Sequence, residues 1–174
     1  MVIRQETPSD YREVYQLVKT SFSTVYTDGE EPDEQDYLNE LRKKSDFIPE
    51  LSLVAEHNDG TIVGQVVLYK TIVSTSQGDF TELLLSPICV HPDFFRRGIA
   101  RAMVEEALSI AKGMGFRAVF QCGDSETYKR LGFTPSYCYN IFHKDDESKM
   151  ADWSMVRELY DGALNGISGT IDTI

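Results

Sequence analysis

The amino-acid sequence predicts an α/β protein with a mixed sheet, and three observations support this prediction. Short apolar runs typical of strands alternate along the chain with apolar repeats at helical spacing. Residues 58–60 form a turn between two strand-like runs, which indicates an antiparallel hairpin. A helix separates the apolar strands predicted at residues 82–90 and 117–122, so these two strands are expected to be parallel, with a right-handed crossover.

Length and composition predict a single domain that spans residues 1–174. Of the 174 residues, 41% are hydrophobic and 26% are charged, which is typical of a globular chain with a sizeable core. The formal net charge of -11 argues against nonspecific binding to nucleic acid, which needs a positive surface. The charge is compatible with attraction of cationic substrates, and solubility is the simpler explanation for it.

The three cysteines are too far apart to form a chelating motif, so no metal site is predicted. Cys89 and Cys122 lie in apolar runs that are typical of buried thiols, and Cys138 is the third. An odd number of cysteines without a signal peptide indicates a reducing, cytoplasmic location. Because no apolar run approaches the roughly 20 residues of a membrane span, no membrane partner is expected.

The first predicted elements are a short strand at Val2 and Ile3 and then a helix. Thr7 and Asp10 form a capping-box pattern around Pro8, which suits the first helical position. Apolar residues then recur at helical spacing, namely Tyr11, Val14, Tyr15, Val18 and Phe22.

An acidic loop over residues 28–36 joins this helix to a shorter second helix. The loop holds six carboxylates: Asp28, Glu30, Glu31, Asp33, Glu34 and Asp36. The second helix carries Tyr37, Leu38 and Leu41. The carboxylates either attract a cationic ligand or form a solvated stretch that stabilises the start of the helix, and the second interpretation is the simpler one.

The central part of the predicted sheet follows. Residues 51–55 and 61–69 form the two arms of the hairpin. Residues 82–90 are nearly all apolar toward their end, which is typical of a central strand. The long helix after Gly98 has an apolar side made of Ile99, Ala102, Met103, Ala107, Ile110, Ala111 and Met114.

The C-terminal third is predicted to hold a short helix and further strands. The helix covers residues 125–131 and is stopped by Gly132. Strands are predicted around residues 137–143 and 153–159. The tail over residues 162–170 forms either a closing strand or a loop.

The most informative segment is the turn between the central strand and the long helix. The strand ends at Pro92, and two arginines and Gly98 then lead directly into the helix. Backbone N–H groups at a helix N-terminus, with cationic side chains beside them, form a site for a pyrophosphate. The N–H groups are those of Arg97, Gly98, Ile99 and Ala100, and the charges are those of Arg96, Arg97 and Arg101. The alternative is an ordinary helix N-terminus with solvated arginines.

Three features resemble the GNAT superfamily of N-acetyltransferases. Residues 88–100 resemble the family's acetyl-CoA strand, pyrophosphate loop and helix start, and residues 127–133 resemble its tyrosine-bearing helix that ends in Gly-Phe. The order of the elements is the third feature and spans nearly the whole chain. Residues 48–55 and 162–170 further resemble the YhbS-like group of bacterial acetyltransferases. The resemblance implies the GNAT fold, a mostly antiparallel sheet flanked by helices, with a V-shaped splay between its two central parallel strands.

The resemblance also implies roles for residues toward acetyl-CoA. The backbone of Ile88, Cys89 and Val90 is expected to bind the pantetheine arm and to polarise the acetyl carbonyl. The pyrophosphate is expected to lie on Arg96, Arg97, Gly98, Ile99, Ala100 and Arg101. Phe95 stands where the family usually has Gln or Arg, so binding there is expected to depend on the backbone amides around Gly98.

The resemblance implies a general acid but leaves the general base open. Tyr128 occupies the family's position for the general acid that protonates the departing thiolate, and the alternative is a ring that packs beside Phe133. Cys89 fits a buried core residue better than a nucleophile, because most of the superfamily transfers the acetyl group directly. No general base is singled out, and the options are Glu56, His57, Glu82, Ser86 and His91.

The resulting prediction is a cytoplasmic, acetyl-CoA-dependent N-acetyltransferase whose acceptor is a primary amine, either small or on a protein. Cationic amines are among the expected acceptors. Two alternatives stay open: a non-catalytic acyl-CoA-binding sensor, and a transferase for a longer acyl group. A homodimer through the C-terminal strands is a further option, in which Trp153 serves an interface together with Tyr137, Tyr139 and Phe142. For these aromatic residues, the core is the simpler assignment.

Overall fold

The computed structural model describes residues 1–26 and 30–173. These residues form four α-helices: α1 (Tyr11–Phe22), α2 (Glu34–Leu41), α3 (Ile99–Gly113) and α4 (Ser125–Arg130). They also form nine strands: β1 (Val2–Gln5), β2 (Phe47–Glu56), β3 (Ile62–Thr75), β4 (Gly78–Val90), β5 (Ala118–Cys122), β6 (Thr134–Pro135), β7 (Ile141–His143), β8 (Ser154–Glu158) and β9 (Gly169–Ile171). Short 3-10 helices cover Pro8–Asp10, Pro92–Phe94 and Ser136–Tyr139.

The strands form a mixed sheet in the order β1-β2-β3-β4-β5-β8-β6, and β9 pairs with β3 and β7. Strands β4 and β5 are parallel, as predicted, with Leu83 opposite Val119 and Leu84 opposite Phe120. Antiparallel pairs join β1 to β2, β3 to β9, β5 to β8 and β6 to β8. The predicted α/β class with a mostly antiparallel sheet flanked by helices is therefore confirmed. The V-shaped splay of β4 from β5 stays a prediction.

The chain divides into two compact units. The first comprises Met1–Leu68 and Ser86–Ile110, and the second comprises Tyr69–Leu85 and the chain from Ala111 onwards. Strands β3 and β4 each begin in one unit and end in the other. The single domain over residues 1–174 stays a prediction.

In the first unit, each helix buries one face. The buried positions are Val14, Leu17, Val18 and Ser21 in α1, Gln35, Leu38 and Leu41 in α2, and Ile99, Met103, Val104, Ala107 and Leu108 in α3. This spacing is that of amphipathic helices. Gly64 in β3 allows α3 to approach closely, because a Cβ at Gly64 would lie 2.8 Å from the Met103 Cε.

The 3-10 helix Pro8–Asp10, which leads into α1, has the predicted capping box with Thr7 as its N-cap. The Thr7 backbone N–H donates to the Asp10 carboxylate at 2.7 Å, and the Thr7 hydroxyl donates to the same carboxylate at 2.9 Å. The guanidinium of Arg4 in β1 donates to both Asp10 oxygens, at 2.7 and 2.9 Å. The Asp10 carboxylate thus ties the first strand to the first helix.

Two of the six carboxylates, Glu34 and Asp36, lie in the first turn of helix α2, which begins at Glu34. Tyr26 donates a hydrogen bond to Glu34 at 2.7 Å, and Tyr15 donates one to Asp36 at 3.0 Å. These contacts support the interpretation of a helix start stabilised by carboxylates. Asp28, the first of the six predicted carboxylates, lies outside the described residues.

The second unit corrects one predicted strand. Residues 137–139, predicted to open a strand, belong to a 3-10 helix, and β7 begins only at Ile141. Asn140 separates the two elements with a left-handed φ of 58°, which ends the 3-10 helix and turns the chain. In the predicted tail, residues 169–171 form the closing strand β9, parallel to β7 and antiparallel to β3.

The aromatic residues of the C-terminal strands do not form a core, so that prediction is wrong. Trp153 is 38% exposed, and Tyr137, Tyr139 and Phe142 are half-buried. The Trp153 ring contacts the His143 ring edge to face at 4.9 Å. Trp153 lies just before β8 and outside the strand itself.

Two features of the described residues concern membranes and metal ions. No helix among residues 1–26 and 30–173 is long and apolar enough to cross a membrane. Within the same ranges, no group of three or more His, Cys, Asp or Glu side chains is arranged to hold a metal ion.

Candidate active site

The predicted phosphate loop has an unusual backbone. After the 3-10 helix Pro92–Phe94, Phe95 is extended with φ -59° and ψ 152°. Arg96 and Gly98 then adopt left-handed φ angles of 62° and 77°. Such alternation turns successive N–H groups to one side and forms a concave site for an anion. A left-handed arginine costs roughly 1 kcal/mol or more, and strain of this kind is concentrated at functional sites.

Helix α3 supplies further donors at the same place. The Ala102 N–H donates to the Gly98 carbonyl at 3.0 Å, which closes the first turn. The N–H groups of Ile99 and Ala100 precede that bond, in the first turn, where backbone N–H groups lack an acceptor within the helix. A Cβ at Gly98 would meet no protein atom within 4 Å. The space above the loop is therefore open to a ligand that approaches the backbone.

The two loop arginines are exposed, and Arg97 is held by its neighbours. The Arg97 guanidinium donates to the Asp93 carbonyl at 3.0 Å and lies 4.9 Å above the centre of the Phe94 ring. Phe94 also contacts the rings of His57 and His91, at 5.3 and 6.2 Å between centroids. Phe94 thus anchors the loop, whereas Phe95, at the position that departs from the family pattern, is 49% exposed.

The end of β4 is buried and is held by helix α1. Cys89 and Val90 are 7% and 8% exposed, and Ile88 is half-buried. The hydroxyl of Ser21 in α1 donates to the Val90 carbonyl at 3.0 Å. Burial raises the pKa of the Cys89 thiol to about 12, which keeps the thiol protonated at neutral pH. The prediction that Cys89 is a core residue agrees with this burial.

Tyr128 lies in α4, in the second unit. Asp124 caps this helix, and its carboxylate accepts from the Thr127 N–H at 3.0 Å. The Tyr128 ring contacts Phe133 edge to face, with 5.7 Å between centroids. Burial raises the pKa of the Tyr128 hydroxyl to about 12, and the Gln121 side chain opposes that rise by hydrogen-bonding the oxygen. The phenol therefore keeps its proton at neutral pH.

Among the general-base options, Glu82 has a clear structural role. Its side chain is buried, and one carboxylate oxygen accepts from the backbone N–H groups of Arg117 and Ala118 at 3.0 and 3.2 Å. Burial raises the pKa of Glu82, and the two backbone hydrogen bonds and the Arg117 charge act against this. The carboxylate thus fastens the start of β5 to β4.

The other options are also engaged in contacts. Glu56 accepts from Arg4 at 2.6 Å, and the His57 Nδ1 lies 3.1 Å from an Asp59 carboxylate oxygen. The His91 Nδ1 accepts from the Asp93 N–H at 3.3 Å. Ser86 is half-buried and precedes Pro87 through a cis peptide bond. These contacts single out no base.

Two buried glutamines were missed by the sequence reasoning. Gln65 in β3 is fully buried, and neither atom of its amide has a hydrogen-bond partner among the described residues. Gln121 in β5 is 3% exposed and neighbours Tyr128. The signal was present, since each is a lone amide inside an otherwise apolar strand run.

Comparison with known proteins identifies the family. The family model described as the acetyltransferase (GNAT) domain matches residues 2–136. Because this match covers most of the chain, the protein belongs to the GNAT acetyltransferase family. The predicted family, fold and acyltransferase class are thereby confirmed. No curated protein sequence matches the chain significantly.

Solved structures agree with this assignment. YhbS of Escherichia coli, a GNAT family N-acetyltransferase in complex with CoA, is 27% identical with a TM-score of 0.84, and the match covers 99% of this chain and 89% of that chain. A GNAT acetyltransferase of Brucella melitensis in complex with acetyl-CoA is 22% identical with a TM-score of 0.76, over 99% and 95% of the two chains. Naa20 of Chaetomium thermophilum, bound to a bisubstrate analogue, is 16% identical with a TM-score of 0.61, over 99% and 97%. The last two show the shared fold.

Proposed function

We propose that this GNAT protein is an acetyl-CoA-dependent N-acetyltransferase that acetylates a primary amine by direct attack. The observation that carries the proposal is the strained loop before α3, where Arg96 and Gly98 are left-handed and a Cβ at Gly98 would meet no protein atom within 4 Å. The loop belongs to a protein whose relative YhbS, at 27% identity, was solved with CoA. The pyrophosphate would lie on the backbone from Arg96 to Arg101, and the exposed arginine side chains would add positive charge.

The end of β4 would carry the thioester. Ile88, Cys89 and Val90 would bind the pantetheine arm through their backbone, and an N–H there would polarise the acetyl carbonyl. The Ser21 hydroxyl bond to the Val90 carbonyl supports this role because it fixes the end of the strand. The buried, protonated Cys89 thiol is a poor nucleophile, which favours direct transfer over an acyl-enzyme.

Tyr128 would act as the general acid. The neutral amine nitrogen forms a bond to the acetyl carbon, the carbon–sulfur bond breaks, and the departing thiolate takes the phenolic proton. The nitrogen loses one proton as it becomes an amide nitrogen, and a proton from solvent restores the phenol. The raised pKa of Tyr128 supports this role, because the hydroxyl is protonated when the thiolate departs. The acidic chain, with a net charge of -11, favours cationic amines among the acceptors. The cytoplasmic location and the homodimer stay predictions.

Tyr128→Phe is the direct test of the catalytic assignment. It is expected to lower kcat at least about tenfold, in line with ordinary acid–base contributions, and to leave the KM for acetyl-CoA nearly unchanged. Tyr160→Phe is the matched control, because Tyr160 is a 47% exposed tyrosine of the same unit. Undiminished turnover in Tyr128→Phe would exclude the general-acid role.

The activity itself is tested by thiol release from acetyl-CoA across a panel of primary amines. We expect release that depends on the amine. Calorimetric binding of CoA without thiol release for any amine would favour the sensor. Competition between acetyl-CoA and longer acyl-CoAs would reveal a transferase for a longer acyl group.

A further inference from the structure

A buried amide lies beside Tyr128. Gln121 is 3% exposed in β5, where its backbone pairs with Met155 of β8. Its Oε1 has no hydrogen-bond partner among the described residues. Burying a primary amide in an apolar strand costs free energy unless the amide makes hydrogen bonds. Such a residue in a core strand indicates a role other than packing.

Gly123 brings the amide and the tyrosine ring together. A Cβ at Gly123 would lie 2.5 Å from the Gln121 Nε2 and 3.5 Å from the Tyr128 Cε2. The Gln121 amide and the Tyr128 ring therefore flank the same point above the Gly123 backbone. The Gly123 N–H donates to the Trp153 carbonyl at 3.0 Å, which holds this backbone in place. The glycine leaves the room that the amide occupies.

The chemistry of the two groups determines which of them donates the hydrogen bond. The end of the amide that lies beside the tyrosine ring is Nε2, which can only donate, and a hydrogen bond from it to the Tyr128 oxygen favours the phenolate. When the phenol oxygen accepts from Nε2, one of its lone pairs is engaged and the rotation of the O–H bond is restricted. The proton is then directed away from the amide.

We propose that Gln121 is a positioning residue that holds the Tyr128 hydroxyl in the orientation needed to protonate the departing thiolate. The proposal rests on the proposed general-acid function of Tyr128. Gln121 acts through the phenol and makes no contact with the reacting atoms itself. Gly123 is part of the same arrangement, because any side chain at this position would displace the Gln121 amide.

A double-variant cycle tests the proposal, with kcat and the KM for acetyl-CoA measured for Gln121→Leu in wild-type and Tyr128→Phe backgrounds. In the wild-type background, kcat is expected to fall about three- to tenfold, the worth of one hydrogen bond, with KM unchanged. In the Tyr128→Phe background, Gln121→Leu is expected to have no further effect. An equal loss in both backgrounds would overturn the positioning role.

Two further variants guard against a folding defect. Gly123→Ala keeps Gln121 but pushes its amide aside, so it is expected to reproduce the loss of kcat only when Tyr128 is present. Gln121→Glu keeps the shape, and its carboxyl donates to the phenol only while it is protonated. Its kcat is therefore expected to fall as the pH rises through the pKa of that carboxyl, whereas a structural role gives a loss independent of pH.

The groups that face Tyr128 in this unit are Asp124 and Cys122, and both oppose its ionisation. Because Asp124 and Cys122 are present in every variant, they do not account for a pH dependence of kcat that is specific to Gln121→Glu. Thermal melting at each pH identifies the conditions under which a variant stays folded. If the single variant Tyr128→Phe kept the wild-type kcat, the general-acid function itself would be overturned. That outcome is distinct from an equal loss of kcat on Gln121→Leu in both backgrounds, which overturns the positioning role.

Discussion

At the scale of single residues, Asp10 shows how one carboxylate serves several partners. It accepts from the Thr7 N–H at the start of the helical segment and from two nitrogens of Arg4 in β1. The Arg4 guanidinium is the main reason that the pKa of Asp10 falls to about 2, and burial opposes the shift. Because the pKa is lower in the folded state than in the unfolded chain, the charged form stabilises the fold.

Asp10→Asn is expected to lower the free energy of unfolding at pH 7 by about 1–2 kcal/mol, allowing for the partial exposure of Arg4. The stabilisation is complete above the ordinary pKa of 3.8 and is lost as the pH falls through about 2. The difference between variant and wild type is therefore expected to shrink between about pH 4 and 2 in chemical denaturation. Asp79→Asn, at an exposed position of β4, is the control and is expected to change stability by less than about 0.5 kcal/mol. A difference that stays constant with pH would contradict the assignment.

The residue scale also shows what the sequence reveals about the site. Tyr128 and Gly98 were predicted because their neighbours form a recognisable local pattern. Gln121 was missed, because its importance depends on a contact with Tyr128, seven positions further along the chain, and on the gap above Gly123. The lone amide in an apolar strand run is visible in the sequence, but its contact with Tyr128 is set by tertiary packing, which no local pattern encodes.

At the scale of elements, the loop before α3 has the clearest functional geometry. Its 3-10 helix is anchored by Phe94 and is followed by two left-handed residues, Arg96 and Gly98. The open space at Gly98 is matched elsewhere in the same unit by Gly60, in the hairpin turn, which also has a positive φ and no atom within 4 Å of a Cβ. The two glycines differ in position and not in local strain.

This pair of glycines gives a controlled test of cofactor binding. Gly98→Ala is expected to weaken the calorimetric Kd for CoA about tenfold or more, because the added methyl group occupies the space that a phosphate would use. Gly60→Ala introduces the same kind of strain, so both variants are expected to lose about 1 kcal/mol of stability. Only Gly98→Ala is expected to affect the Kd. Equal Kd values for the two variants would place the pyrophosphate away from this loop.

The elements themselves were predicted where periodicity was strong. Helix α3 and strand β5 begin and end close to the expected residues. Strand β3 continues to Thr75, beyond the predicted end at residue 69. Residues 70–75 alternate between exposed and buried positions, as a strand does. The alternation is hard to see in the sequence because one of the exposed residues is Ile72. A strand is predicted at residues 137–139, which belong to the 3-10 helix Ser136–Tyr139, because their aromatic side chains favour strands and the left-handed Asn140 leaves a weak sequence signal.

At the scale of the whole molecule, the two compact units share two continuous strands. Strand β3 passes between the units at Leu68 and Tyr69, and β4 passes between them at Leu85 and Ser86. Both crossings lie in buried, hydrogen-bonded segments, where local unfolding exposes a large apolar area. We therefore expect the chain to unfold as one cooperative domain.

Two spectroscopic probes differ in the units on which they report. The chain has one tryptophan, Trp153, which reports on the second unit, whereas far-UV circular dichroism reports on the helices of both units. Tryptophan fluorescence and far-UV circular dichroism are expected to report the same urea midpoint.

CoA at about 100 times its Kd is expected to raise the free energy of unfolding by about 2.7 kcal/mol and to move both midpoints together. Gly98→Ala, at the same CoA concentration, is expected to reduce that increase while the two midpoints stay coincident. Midpoints that separate, or a shift by CoA confined to the dichroism signal, would show that the two units unfold independently.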